Sequence, residues 1–66
     1  MKARLEKISE IAHTLVYGSR HLLITTIMEH AGDEIEGKQE MYDLAIKTDQ
    51  ELKQDLINII NYIKEE

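Results

Sequence analysis

The sequence contains no cysteine, proline, tryptophan or phenylalanine, and only three glycines. Without cysteine, neither a disulfide nor a thiolate metal site can form, and a reducing compartment is permitted. Without proline, nothing forbids long helices. A chain of 66 residues buries only about 60% of the surface that its unfolded form exposes, so a lone copy should be marginally stable. Self-association is the remaining way to add stability.

A long apolar run is also missing. No stretch approaches the roughly 18 to 20 apolar residues that cross a bilayer, and residues 1–7 are too charged for a signal peptide. We therefore expect a cytoplasmic protein with no membrane partner. Apolar residues make up 42% of the chain and charged residues 32%, which is typical of a folded helical protein and not of a disordered one.

Basic residues are few, with 8 Lys and Arg against 13 Asp and Glu, for a net charge of -5. Binding to phosphate depends on Lys and Arg, so we expect no direct binding to nucleic acid. The whole excess of negative charge falls in residues 29–43, which contain six acidic residues and one basic residue, Lys38. The six acids are Glu29, Asp33, Glu34, Glu36, Glu40 and Asp43.

Several of these acids are three or four residues apart, a spacing that places carboxylates about 6 Å from each other where the chain is helical. Such a row can pair with lysines and arginines of another protein and compete with nucleic acid for that surface. We predict that this acidic stretch contacts a partner, and the alternative is a turn that charge keeps in water.

Two apolar-periodic arms flank the acidic stretch. Residues 2–31 and 38–65 each carry apolar side chains at steps of three and four, which predicts two helices joined by a turn at about 32–37. In the second arm the stripe consists of Met41, Ala45, Thr48, Leu52, Leu56, Ile59 and Ile63. The sequence therefore predicts one all-α domain built on a helical hairpin.

Gly18 and Ser19 interrupt the first arm, and two interpretations compete. The helix could end at Gly18, or it could continue at a cost of about 1 kcal/mol relative to alanine. We favour a continuous helix because the residue three positions after Ser19 is Leu22, not the Glu or Gln of a capping box. The apolar centre of residues 20–31 is nevertheless rotated by about 100° from that of residues 5–16, so the chain could bend here.

Thr48 and Glu51 raise the same question in the second arm. The segment Thr48-Asp49-Gln50-Glu51 matches a capping box and could start a helix at residue 49. We favour a threonine inside a longer helix, because the apolar stripe runs straight through position 48.

A hairpin of two helices has a single interface, which cannot cover all the apolar residues of both arms. We therefore predict that two hairpins pair as a homodimeric four-helix bundle, with a compact three-helix bundle broken at Gly18 as the alternative. Apolar residues left over, in particular Tyr17, Leu23 and Ile27, would then be available to a partner protein.

Histidines and acids suggest two weak metal sites. Glu10 and His13 form an E-x-x-H pair of the kind found in di-iron helical bundles, but such a site needs further ligands. His30 lies among Glu29, Asp33 and Glu34, without the regular spacing of a calcium loop. We expect these residues to be solvated and predict no cofactor.

No nucleophile motif and no glycine-rich phosphate loop occurs in the sequence. We expect a small, acidic, non-enzymatic regulator that binds another protein as an inhibitor, antirepressor or adaptor. The alternatives are a metal-binding helical dimer that uses Glu10 and His13, and a purely structural oligomerisation module.

Overall fold

The computed structural model describes residues 2–34 and 41–65, which form four α-helices. These are α1 (Lys2–Tyr17), α2 (Arg20–Glu34), α3 (Met41–Ala45) and α4 (Asp49–Glu65). The described residues contain no β-strand, which confirms the prediction of an all-α protein. Within the same residues, no helix has the length and apolar character that a membrane span requires.

The apolar core lies between the three longer helices. α2 packs most extensively against α4, α1 packs against both, and the short α3 contacts α2. The predicted spacing in α4 is correct from residue 52 onward, since Leu52, Leu56, Ile59 and Ile63 are all buried. The rest of the core consists of Ile11, Leu23, Ile24, Ile27, Ala31 and Leu44.

The first arm is not one continuous helix. α1 ends at Tyr17 and α2 begins at Arg20, so the favoured interpretation of Gly18 is wrong. The backbone N–H of Gly18 donates to the carbonyl of Thr14 at 2.7 Å and completes the last turn of α1. The break brings the rotated apolar faces of α1 and α2 onto one core, so the fold is closer to a three-helix bundle than to a hairpin.

Ser19 caps the new helix without a capping box. Its hydroxyl oxygen lies 3.4 Å from the backbone nitrogen of Leu22, in the N-cap geometry, and its carbonyl accepts the first bond of α2 from Leu23 at 2.9 Å. A single serine hydroxyl is enough for a helix start, which is why the missing Glu or Gln was a misleading criterion.

α2 also runs further than expected, through Gly32 to Glu34, so Gly32 does not end the helix. The remainder of the predicted turn, and the predicted start of the second arm at about residue 38, lie outside the described residues.

The second arm is interrupted as well. α3 ends at Ala45 and α4 begins at Asp49, so Thr48 does not lie inside a helix, contrary to our favoured interpretation. Thr48 and Glu51 form a reciprocal capping box. The backbone N–H of Thr48 donates to Glu51 Oε1 at 2.9 Å, and the N–H of Glu51 donates to Thr48 Oγ1 at 3.2 Å.

The capping box also lowers the pKa of the Glu51 carboxyl below its ordinary value of 4.5. The hydrogen bond from the Thr48 backbone is the larger cause, and the hydrogen bond with the Thr48 side chain is the second.

Arg20, the first residue of α2, forms hydrogen bonds with the segment that connects α3 to α4. Its guanidinium donates to Asp49 Oδ1 at 2.7 Å and to the carbonyl of Ala45 at 2.7 Å, and it also bonds the carbonyl of Lys47. Lys47 in turn pairs with Asp55 at 2.7 Å. The orphan carbonyls after α3 are therefore satisfied by a side chain from a distant helix.

The core also accounts for two residues that we expected on the surface. Leu23 is 2% exposed and Ile27 is fully buried, so neither is available to a partner. Because the chain folds back at Gly18, a second copy is not needed to cover them. The pairing of two hairpins as a four-helix bundle therefore loses this part of its support.

The break at Gly18 predicts an unusual response to alanine. A Cβ at this position would lie 2.5 Å from the carbonyl oxygen of Thr14 and 2.8 Å from its Cγ2. Gly18→Ala should therefore destabilise the protein by about 1 to 3 kcal/mol, measured by thermal or urea unfolding. A continuous helix would give the opposite sign, a gain of about 1 kcal/mol, and that result would contradict the break.

The capping box predicts a loss of stability when Thr48 is replaced. Thr48→Ala should cost about 1 kcal/mol, or roughly 4 to 8 °C in melting temperature. Thr25→Ala is the matched control, because Thr25 is an exposed threonine within α2 whose hydroxyl only bonds the carbonyl of His21. The control should be neutral or slightly stabilising, since alanine is the better helix former.

The Thr48 effect should also depend on pH. A carboxyl whose pKa is lowered in the folded state stabilises the protein above its unfolded pKa and loses that contribution as the pH falls through the folded value. The difference in melting temperature between wild type and Thr48→Ala should therefore shrink below pH 4.5. A difference that stays constant from pH 7 to pH 3 would contradict the hydrogen bond between the Glu51 carboxyl and the Thr48 side chain, since the bond from the Thr48 backbone N–H is present in both proteins.

Candidate functional site

α1 and α2 run antiparallel after the break at Gly18, and a contact between two threonine hydroxyls shows their register. The hydroxyl of Thr26 donates to Thr14 Oγ1 at 3.4 Å in a partly buried position. One helical turn away from this pair, residue 10 on α1 comes opposite residue 30 on α2, because the helices run in opposite directions. The bend at Gly18 thus determines which polar residues meet.

Three polar residues converge at that point. Glu10, Glu29 and His30 each offer a ligand atom, and these atoms all lie within 4.8 Å of one another. Both glutamates are exposed, whereas His30 is only 5% exposed. Two exposed carboxylates therefore lie close to a buried imidazole, and the three groups together can coordinate a cation.

His30 is the unusual member of this cluster. Its Nε2 atom is buried and has no hydrogen-bond partner among the residues that the structure describes. A buried polar atom left without a partner costs about 1 to 3 kcal/mol. Such an atom calls for an explanation, of which an ordered water, a bound ion and a functional role are the usual ones.

The cluster combines residues that the sequence had suggested separately. Glu10 was paired with His13, but His13 is exposed and its ring lies against Tyr17, with centroids 5.0 Å apart. Among the described residues, the candidate ligand group is completed by Glu29 and His30 from α2 and does not include His13. Periodicity within α1 could not reveal this, because the two halves of the group are about twenty residues apart.

Much of the predicted acidic surface falls outside the part of the chain that can be described. Glu36 and Glu40 lie outside the described residues, as do the side chains of Asp33 and Glu34. The first and last acids of the stretch, Glu29 and Asp43, are both exposed. Glu29 belongs to the cluster with His30, so at least one of these acids faces another functional group.

A stripe of small and apolar residues runs along α1, and all of them are exposed except Ala12, which is half-buried. Leu5 and Val16 are 67% and 68% exposed, and Ser9 and Ala12 lie between them at steps of four, three and four. These positions fall within about 60° of each other around the helix. We call this stripe the α1 seam, and its spacing is that of a coiled-coil interface.

Tyr17 lies beside the C-terminal end of the α1 seam and is 76% exposed. Of the three apolar side chains expected to contact a partner, it is the one that the structure leaves on the surface. The seam itself was not predicted, since the apolar side chains of residues 2–31 were interpreted only as evidence for a helix. The rotation of Leu5 and Val16 away from Ile11 could have distinguished them.

A scan against protein-family models, a search of curated proteins and a search of solved structures each gave no match to the chain. The function must therefore be argued from the residues and their geometry.

Proposed function

We propose that this protein is a small non-enzymatic regulator that works by binding proteins, first a second copy of itself and then a partner with a basic surface. The observation that carries the proposal is the α1 seam. Leu5 and Val16 are more than two-thirds exposed on one face of a helix that also contributes Ile11 to the core. A helix with apolar side chains on two faces has a second surface to cover.

The spacing of the seam favours a helix as its occupant. Steps of four, three and four with small residues in the middle allow two helices to approach closely and interlock their side chains. A second copy supplies an identical seam, and two α1 helices related by a two-fold axis would cover each other's Leu5 and Val16. The small core of one chain also gives dimerisation a stabilising role.

The distribution of charge supports a second binding surface, used by a partner other than a second copy of the chain. All of the net charge of -5 falls in residues 29–43, and the exposed Glu29 and Asp43 belong to this stretch. A concentrated negative surface attracts basic proteins and accelerates their association at low salt. We therefore propose that the α1 seam is the self-interface and that the acidic stretch contacts the basic partner.

If the α1 seam is the self-interface, replacing its apolar side chains with charged ones should convert the dimer to a monomer. Wild type should run near twice the monomer mass of 7.7 kDa in size-exclusion chromatography with light scattering, and Leu5→Glu with Val16→Glu should give the monomer. Ile46→Glu is the control, because Ile46 is 72% exposed outside α1. It should leave the dimer intact.

Both substitutions are at exposed positions, so helicity measured by circular dichroism should not change. A wild-type monomer at micromolar concentration, or a doubly substituted protein that still dimerises, would contradict the assignment of the seam.

The acidic contact predicts a loss of binding when its charge is reversed. Asp33→Lys, Glu34→Lys and Glu36→Lys together should abolish capture of the partner from the native host, because the favourable charges become repulsive. Glu6→Lys, Glu65→Lys and Glu66→Lys change the net charge equally outside the stretch and form the control.

The captured partner is identified by mass spectrometry, and its binding to wild type should weaken as salt is raised. Equal loss of binding in both triple variants would show an effect of net charge alone. Unchanged binding in the first variant would remove the acidic stretch from the proposal.

A further inference from the structure

We infer that Glu10, Glu29 and His30 form a binding site for a divalent transition-metal ion, with Zn²⁺ as the best match. The site joins α1 to α2 across the bend at Gly18. It is separate from the proposed dimer interface and does not depend on it.

The donor set selects this class of ion. Carboxylate oxygen and imidazole nitrogen together suit zinc and its neighbours in the first transition row, whereas calcium and magnesium prefer oxygen donors alone. Three protein ligands are sufficient for a zinc site, in which a fourth position is taken by water or another donor. The absence of cysteine from the sequence makes such a nitrogen and oxygen site the kind of zinc site open to this chain.

The distances require only a small adjustment. Ligands about 2.1 Å from a tetrahedral ion lie about 3.4 Å from each other, and the three ligand atoms here lie within 4.8 Å of one another. Glu10 and Glu29 are exposed, and a change of side-chain rotamer can bring their carboxylates closer by the roughly 1.4 Å that this requires. His30 is fixed by burial, so the least mobile ligand is already in place.

The orphan nitrogen of His30 is the independent observation that points to a ligand. Nε2 is buried without a hydrogen-bond partner in the described part of the chain, although the ring lies beside two carboxylates. The large majority of buried side-chain nitrogens have a hydrogen-bond partner. A metal ion at this place would give the imidazole a partner and bring together two carboxylates that otherwise repel.

Metal binding would strengthen the smallest of the contacts among the three longer helices. The α1–α2 contact is the less extensive of the two that α2 makes with longer helices, and one long hydrogen bond between Thr14 and Thr26 spans it. An ion held by residues of both helices stabilises the folded state by an amount that grows with the logarithm of its concentration relative to the Kd. The ion would link two helices of this short chain, as a disulfide links two segments of a small secreted protein.

Thermal unfolding of the tag-free protein with and without Zn²⁺ tests the site. The melting temperature should rise by about 10 to 20 °C when free Zn²⁺ exceeds the Kd roughly a hundredfold, and EDTA should reverse the rise. Mg²⁺ and Ca²⁺ at the same concentration should have little effect. If Zn²⁺ leaves the melt unchanged, the proposal is overturned.

Substitution of single ligands identifies the residues involved. Glu10→Gln and Glu29→Gln should each weaken Zn²⁺ binding in calorimetry by about tenfold or more. Glu6→Gln and His13→Gln, which alter exposed residues of the same helix, should not. Binding that survives both ligand variants, or that is lost with His13 instead, would overturn the assignment.

A direct readout comes from the histidine ring. In nitrogen NMR spectra, addition of Zn²⁺ should shift the ring resonances of His30 and leave those of His13 and His21 in place. This measurement needs no substitution at the buried position, where a variant could fail to fold. Shifts confined to the two exposed histidines would show adventitious surface binding and reject the site.

Discussion

The reversal of the chain at Gly18 and Ser19 is the constraint on which the rest of the structure depends. The apolar faces of α1 and α2 are rotated by about 100° relative to each other along the sequence, so a straight helix would bury only one of them in a given core. By ending α1 with the N–H of Gly18 on the Thr14 carbonyl, the chain turns both faces inward. The core residues Ile11 and Ile27 then meet α4, and the register of α1 against α2 follows.

Periodicity predicted the buried residues better than it predicted the breaks. The burial of four residues of α4 could be predicted from the sequence, because their spacing within one helix places them on the same face. These residues are Leu52, Leu56, Ile59 and Ile63. The stripe was wrongly extended toward Met41 and Ala45, which are exposed. At Thr48, two capping hydrogen bonds and the guanidinium of Arg20 stabilise an interruption. Only the capping box was visible in the sequence, and the tertiary contact from Arg20 was not.

The candidate metal site shows a second limit of sequence analysis. Glu10 and His30 were each recognised as possible ligands, but each was assigned to neighbours on its own helix. A helix places residues three or four apart on one face, and this rule says nothing about residues on another helix. The pairing of position 10 with position 30 requires the antiparallel register, which itself requires the bend at Gly18. The ligands could be listed from the sequence, but their combination could not.

The geometry of α1 allows both proposed activities at once. At 100° per residue, Glu10 lies about 130° around the helix from the centre of the α1 seam. Ile11, which faces the core, lies about 100° from Glu10 and about 130° from the seam in the other direction. One side of α1 therefore contacts α2 and the candidate ion, and the opposite side is exposed along Leu5 and Val16. An ion at Glu10 would not obstruct a second copy at the seam. By holding α1 against α2, it would make the seam a more rigid surface, so metal binding and dimerisation should reinforce each other.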